Sequence, residues 1–320
     1  MTAGSLAGAA REGDRAALAR LLSVVESGGE EARAAVAAVH GASRGAAIVG
    51  ITGAPGAGKS TLTDRLIGCA RADADRVAVL AVDPTSPFSG GAILGDRVRM
   101  QSHGTDPGVF IRSMATRGHL GGLAAATPLA LRVLDATGWD WILVETVGVG
   151  QVEIEVAGAA DTTVVVVTPG WGDGVQASKA GLLEVGDVFV VNKADRPGVE
   201  GTVRDLEAML ALAGARRWQP PVVPTVAVDG SGVQDLWDAI GAHRRHLVAS
   251  GELEQRRDAR VRAELRALVL DRLRADAARR CQGEAFDELV ARVASGALDP
   301  FAAATEVVAA ASASGVEPSR

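Results

Sequence analysis

The stretch Gly53–Thr61, GAPGAGKST, limits what this chain can fold into more than any other. It follows the apolar run Ala46–Ile51 and leads into Leu62–Ile67, whose apolar residues have helical spacing. Gly53, Gly58, Lys59 and Ser60 meet the pattern G-x-x-x-x-G-K-[ST], which makes a phosphate cradle between a strand and a helix. Backbone N–H groups across Gly53, Ala54, Pro55, Gly56, Ala57 and Gly58 (proline excepted) turn inward as an anion nest. The helix N-terminus that begins near Lys59, Ser60 and Thr61 adds its partial positive charge. In such a cradle a lysine reaches the β- and γ-phosphates and a serine hydroxyl ligates Mg²⁺. A glycine-rich turn before an ordinary helix is the competing reading. It leaves the strand–loop–helix context unexplained, and the chain is expected to bind a nucleoside phosphate.

The wider pattern agrees with a sheet built to carry such a loop. Short apolar runs at Ile48–Ile51, Val77–Val82, Val109–Ile111, Trp141–Val144, Val164–Val167, Val188–Val191 and Val222–Val226 alternate with helical stretches. Continuous apolar strands separated by helices predict an α/β fold with a mostly parallel, doubly wound sheet covered on both faces. Residues 5–40 read as helix broken at Gly28-Gly29, and the chain turns helical again after Trp237. The expected division is a helical extension over 1–44, a nucleotide-binding domain over 45–248 and a C-terminal helical arm over 249–320.

Composition narrows the partners. A net charge of −6 and the absence of tyrosine argue against binding nucleic acid, which demands basic faces and stacking aromatics. Apolar content of 48% with 22% charged residues suits a globular chain. No apolar run approaches the ~18 residues that span a bilayer. The first residues show no basic region followed by an apolar one, and Cys69 and Cys281 form no C-x-x-C pair. A reduced, cytoplasmic protein without a membrane partner is expected.

Further site candidates follow the cradle in order. Glu145 ends the run Trp141–Val144 and opens ETVG, placing an acid where Mg²⁺ is held and Gly148 where a γ-phosphate sits. Asp83 ends the run Val77–Val82, and Asp96 lies in a later glycine-flanked loop. With Ser60 and Glu145 they offer the oxygen ligands a hard cation prefers, although a loop aspartate is often only a turn former. Asn192-Lys193-Ala194-Asp195 fits N-K-x-D at the end of a buried strand. There the Asp195 carboxylate, expected to be buried, accepts from guanine N1–H and the 2-amino group, donors adenine lacks. The expected nucleotide is therefore GTP, with GDP as product. The run Thr225–Gly232 is expected to close over the base through backbone N–H groups of Val226, Ala227 and Val228. Loop 168–180, with Asp173 and Lys179, suits a segment that reorders with nucleotide state.

In the C-terminal third, Val261, Leu265, Leu268, Val269 and Leu273 form an apolar stripe that must pack on the core or on a second subunit. The arginines of 252–280 alternate with acids and read as a solvated face with i,i+4 pairs. His243 and His246 stand three apart without a third ligand, which weakens a zinc reading. Residues 311–320 read as a frayed tail.

Taken together, GAPGAGKSTL, AVDPTSPFSGGAILGDRVRM, FIRSMATRGHLGGLA, ETVGVGQVE, NKAD and GVQDLWDAI resemble the MeaB/ArgK family of P-loop GTPases. The family includes the human methylmalonic aciduria type A protein. The resemblance runs from the N-terminal helix into the C-terminal helices and fades beyond about residue 280. It implies a metallochaperone-like (SIMIBI-class) fold and a homodimer joined through the C-terminal arm. It also implies a partner, the adenosylcobalamin-dependent methylmalonyl-CoA mutase, whose cofactor loading the GTPase gates and which it protects from inactivation. Lys59 and Ser60 carry over as phosphate-loop contacts, Asp83, Asp96 and Glu145 as Mg²⁺ and switch residues, Lys179 as part of a mobile switch, and Asn192, Lys193 and Asp195 as base-reading residues. Two positions depart from familiar patterns. Val149 follows Gly148 where small signalling GTPases place a water-orienting glutamine, leaving Gln151 and Glu153 as candidates, and Ala115 stands where the family often has proline. Competing readings are an ATP-dependent kinase of a transport protein, a nickel- or cobalt-inserting GTPase, and a nucleotide sensor without turnover. The N-K-x-D run opposes the first, the lack of a His-rich or Cys-x-Cys tract the second, and the full set of phosphate and Mg²⁺ groups the third.

Overall fold

The structure, a computed structural model, describes residues 2–83, 103–115, 126–146, 158–171, 176–212, 214 and 217–313. Seven strands form one sheet: β1 (Ala47–Gly53), β2 (Val77–Asp83), β3 (Val109–Ala115), β4 (Trp141–Thr146), β5 (Thr162–Val167), β6 (Val188–Asn192) and β7 (Val222–Thr225). Their order is β3-β2-β4-β1-β5-β6-β7, and every neighbouring pair is parallel. Each of the seven apolar runs became a strand. The order reverses at β1, so the carboxyl ends of β1, β4 and β5 open on the crevice where open α/β sheets bind ligands.

Alternation along each strand divides the core between the two faces. Val49, Ile51, Leu143, Val164 and Val190 pack beneath α4 (Lys59–Ala72) and Trp237 and Ile240 of the helix Val233–Ser250. Ile48, Leu80, Ile142 and Val144 face the other way. They are covered by α5 (Ala126–Ala136) and by the N-terminal helices α1 (Ala3–Arg11), α2 (Arg15–Ser27) and α3 (Gly29–Val39). On that same side, Val165, Val167 and Phe189 pack against Leu182 of α6 (Gln176–Val185) and Leu206 and Leu210 of α7 (Val199–Leu212). Burial on both faces explains why the strands lack polar alternation.

The N-terminal segment holds three helices where the sequence reading had two. The missed break lies at Glu12–Asp14. Gly13 takes φ +99°, and the Asp14 carboxylate caps Ala16 N–H at 2.8 Å and Ala17 N–H at 3.0 Å. Leu18, Leu21, Leu22 and Val25 are buried with Phe110 and Met114 of β3. A half-buried pair, Arg112 to Glu26 at 2.9 Å, ties α2 to the same strand.

The chain forms two compact units, 1–260 and 261–320. The boundary falls inside α9 (Glu252–Arg280), which follows α8 (Val233–Ser250). The first turns of α9 are not the solvated face expected from their composition. Asp161 and Asp187, at the amino ends of β5 and β6, are 3% and 6% exposed and need partners. Arg256 grips Asp187 with two bonds of 2.8 Å, and Arg257 and Arg260 grip Asp161. Burial alone raises the Asp161 pKa, but Arg260 and Arg257 outweigh it and hold the carboxyl below its usual range. Beside this cluster, His243 is fully buried, bonded to Thr162 at 2.9 Å and in tilted ring contact with Trp218. Burial drives its pKa down to about 4 despite the nearby Asp187. Fully buried and bonded to Thr162, His243 is a core residue, and among the described residues no group of three His, Cys, Asp or Glu could hold a metal ion.

The second unit contains the rest of α9, α10 (Glu284–Ala294) and α11 (Pro300–Ala313), the last two bridged by Arg292 and Glu306 at 3.0 Å. The stripe expected to find a packing partner is exposed. Leu265 and Leu273 are 61% and 60% exposed, and Phe301 is 86% exposed. Among the described residues no helix is long and apolar enough to cross a membrane.

Candidate functional site: a phosphate cradle at the sheet switch point

The loop between β1 and α4 has the backbone a cradle requires. Gly53 takes φ +136° and lies so close to β5 that a Cβ would overlap the Val166 carbonyl. Gly58, the residue before α4, takes φ +93°, and a Cβ there would strike the Asn192 side-chain amide. Both positions exclude every L side chain. Ala57 N–H closes a tight turn on Ala54 O at 3.2 Å, with Pro55 and Gly56 (φ +72°) at its exposed crest.

The side chains at the start of α4 point back into this loop. Lys59 is 7% exposed, and its Nζ donates to Gly53 O at 2.6 Å and Ala54 O at 3.1 Å. An ammonium held on backbone carbonyls can be transferred to phosphate oxygens without long travel. Ser60 Oγ donates to Glu145 Oε1 at 2.6 Å, and the Glu145 side chain is fully buried. β1 and β4 run side by side with Ile51 opposite Glu145, which sets the β4 acid beside the first turn of α4. Thr61 is partly exposed next to them. Asp83 closes β2 on the same edge, one position past the Val82–Thr146 pair. Asp96, Gly148, Val149, Gln151, Glu153 and Asp173 lie outside the described residues. Lys179 falls within α6, whose backbone alone is described at that position.

The run expected to read the base sits across the loop from Lys59. Asn192, 2% exposed, donates from Nδ2 to Ala57 O at 2.7 Å. Its Oδ1 accepts from Thr225 Oγ1 and Ala227 N–H, both at 3.1 Å. Lys193, with φ +62°, lays its ammonium on Gly56 O at 2.6 Å. Asp195 is exposed rather than buried. β6 ends at Asn192, Ala194 N–H pins the chain to Thr225 O of β7, and the turn closed by Arg196 N–H on Lys193 O carries Asp195 to the rim. Its carboxylate can accept from a base that docks there, and the desolvation that sharpens such a contact must come from the base itself.

Two N–H groups expected to face the base are engaged within the protein. Val226 N–H donates to Ser231 O at 2.9 Å, and Ala227 N–H goes to Asn192. Val228 is 76% exposed at the loop tip. Two contacts were not read from the sequence. Thr225, which opens the run expected to close over the base, orients Asn192, and Arg65 of α4 donates to the Ala227 and Val228 carbonyls. An arginine outside a motif gives no spacing to read.

Comparison with known proteins adds an independent line. The profile of the family described as "Methylmalonyl Co-A mutase-associated GTPase MeaB" matches residues 18–282. A protein of Pyrococcus abyssi described as a GTPase is 50% identical over 302 residues, covering 93% of each chain. The mouse protein described as "Methylmalonic aciduria type A homolog, mitochondrial" is 39% identical over 214 residues, 65% of this chain and 52% of that one. A crystal structure described as a LAO/AO transport system kinase superposes with a TM-score of 0.68 at 28% identity, covering 96% of both chains. The profile spans more than half of the chain and the Pyrococcus relative is half identical over nearly all of it, and the chain belongs to the MeaB family of P-loop GTPases, hydrolases that act on GTP.

Proposed function

We propose that this GTPase is a chaperone of an adenosylcobalamin-dependent methylmalonyl-CoA mutase, using GTP binding and hydrolysis to time cofactor loading and to protect the mutase. The family description supports the partner. The observation that carries the nucleotide switch is the buried bond from Ser60 to Glu145. It joins the phosphate-binding helix to β4, whose last two residues, Glu145 and Thr146, open the ETVG run.

The residues have distinct tasks in this reading. Lys59 leaves the Gly53 and Ala54 carbonyls for phosphate oxygens, while Asn192 and Lys193 brace the loop from the base side. Asp195 accepts from the guanine edge. A hydroxyl and a carboxylate at hydrogen-bond distance, with Asp83 closing the adjacent strand, suit the hard oxygen chemistry of Mg²⁺. Ser60, Glu145, Asp83 and Asp96 are the residues assigned to hold it, and the ion supplies charge neutralisation at the phosphates. Gln151 and Glu153 are the candidates for orienting the attacking water. Slow intrinsic hydrolysis accelerated by the partner follows from the lack of a glutamine after Gly148.

The exposed apolar residues of the second unit are proposed to join two copies of the chain. The kinase description belongs to the similar crystal structure. Asp195 favours guanine and speaks against an ATP-dependent kinase here. Phosphate release from GTP, measured alone and with the mutase, tests the proposal. Slow release that the mutase accelerates is expected, and turnover indifferent to the mutase contradicts it.

A further inference from the structure

We propose that Arg65 is a positioning residue that locks the base-side loop 226–231 to the phosphate-binding helix, and thereby sets how long a guanine nucleotide stays bound. The inference rests on the reading of the Lys59 cradle and the Asp195 turn as one guanine-nucleotide site. Arg65 lies on α4, six residues after Lys59, on a helix fixed by the fully buried Leu62, Leu66, Ile67 and Ala70. Its Nε donates to Ala227 O at 3.1 Å, and Nη2 donates to the next carbonyl, Val228 O. Two nitrogens of one rigid plane reach the two carbonyls and so fix their separation, which a single ammonium nitrogen does not.

These bonds close a circuit. The Ala57 carbonyl in the cradle accepts from Asn192, Asn192 accepts from Ala227 N–H, and Ala227 O accepts from Arg65, which returns to the helix carrying Lys59. The loop also holds its own shape, through Val226 N–H to Ser231 O and Gly230 N–H to Val226 O, both at 2.9 Å. The Asp229 carboxylate caps Ser231 N–H at 2.8 Å and lies within electrostatic reach of Arg65. The tip is therefore a preformed turn hinged on strand β7. Among the described residues, the hydrogen bonds tying Ala227 and Val228 to the rest of the domain are those from Arg65 and the one to Asn192. Removing Arg65 frees the turn to swing while the cradle keeps its own contacts. Base-side contacts then weaken and phosphate-side contacts do not, which distinguishes positioning from general support of α4.

The test compares wild type, Arg65→Ala and Arg65→Lys in the full chain. Dissociation of ribose-labelled fluorescent GDP reads the whole site, and competition by inorganic tripolyphosphate reads the cradle alone. For Arg65→Ala, GDP release roughly tenfold faster is expected, because two charge-assisted bonds are lost. Tripolyphosphate affinity should stay within about twofold and the melting temperature close to wild type, since one lost bond is exposed and the other only partly buried. Arg65→Lys keeps the charge but not the fork and should restore only part of the residence time. Unchanged GDP release in Arg65→Ala overturns the inference. So does an equal loss for GDP and tripolyphosphate, which would place the effect in the cradle. A wild-type chain that binds tripolyphosphate but shows no guanine preference refutes the underlying site reading instead.

Discussion

At the scale of single residues, function dictates residue type most tightly where backbone must approach backbone or phosphate. Gly58 shows this most plainly, because its left-handed conformation and the Asn192 amide beside it leave no room for a Cβ. Gly58→Ala should break the Asn192–Ala57 bond and strain the loop by about 1–2 kcal/mol. Loss of GTP binding with a retained circular-dichroism spectrum is expected in calorimetric titration, and wild-type affinity would show that the loop tolerates a side chain. Asp195 makes a different prediction. Asp195→Asn replaces an acceptor by a donor, so GTP affinity should fall by roughly two orders of magnitude while xanthosine triphosphate gains. Unchanged guanine preference in competition binding would remove Asp195 from the base site. These residues were legible in the sequence because their chemistry leaves a spaced motif. The exposure of Asp195 was not, since strand termini depend on pairing with β7 that no local signal reports.

At the scale of elements, all seven strands could be read from apolar runs because both sheet faces are covered. What composition concealed was the role of the arginines that begin α9. Alternating charge resembles a solvated helix, yet Arg256, Arg257 and Arg260 neutralise two buried aspartates at the amino ends of β5 and β6. Asp161→Ala leaves the Arg257 and Arg260 guanidiniums without their carboxylate and the Ile48 N–H without its acceptor, and should cost about 3–5 kcal/mol in denaturant unfolding. Next to this cluster His243 is neutral in the fold, with a pKa near 4 against 6.5 when exposed, among Asp187, Arg256, His246 and Glu252. The unfolded chain takes up this proton first, so stability is full above pH ~6.5 and falls as pH drops towards ~4, by on the order of 3 kcal/mol. The depressed Asp161 adds its own loss only below the ordinary aspartate range. Urea midpoints followed from pH 7 to 4 should flatten in His243→Gln, and an unaltered slope would assign the acid lability elsewhere.

At the scale of the whole molecule, the two units differ in how they are held together. Residues 1–260 enclose continuous cores, whereas α9 and α10 contain no buried residues and display Leu265, Leu273 and Val290 to solvent. Such a face suits association with a second copy. Leu265→Glu with Leu273→Glu should convert a dimer to a monomer in sedimentation velocity while GTP binding persists, and a wild-type monomer at micromolar concentration would contradict the assembly. A cobalamin-dependent mutase is proposed to read the nucleotide held at Lys59. The most direct measurement is the affinity of the purified chain for methylmalonyl-CoA mutase when loaded with GDP and with a non-hydrolysable GTP analogue. A complex whose affinity differs at least about tenfold between the two forms is expected. Equal affinities, or no complex in either form, would contradict the proposal.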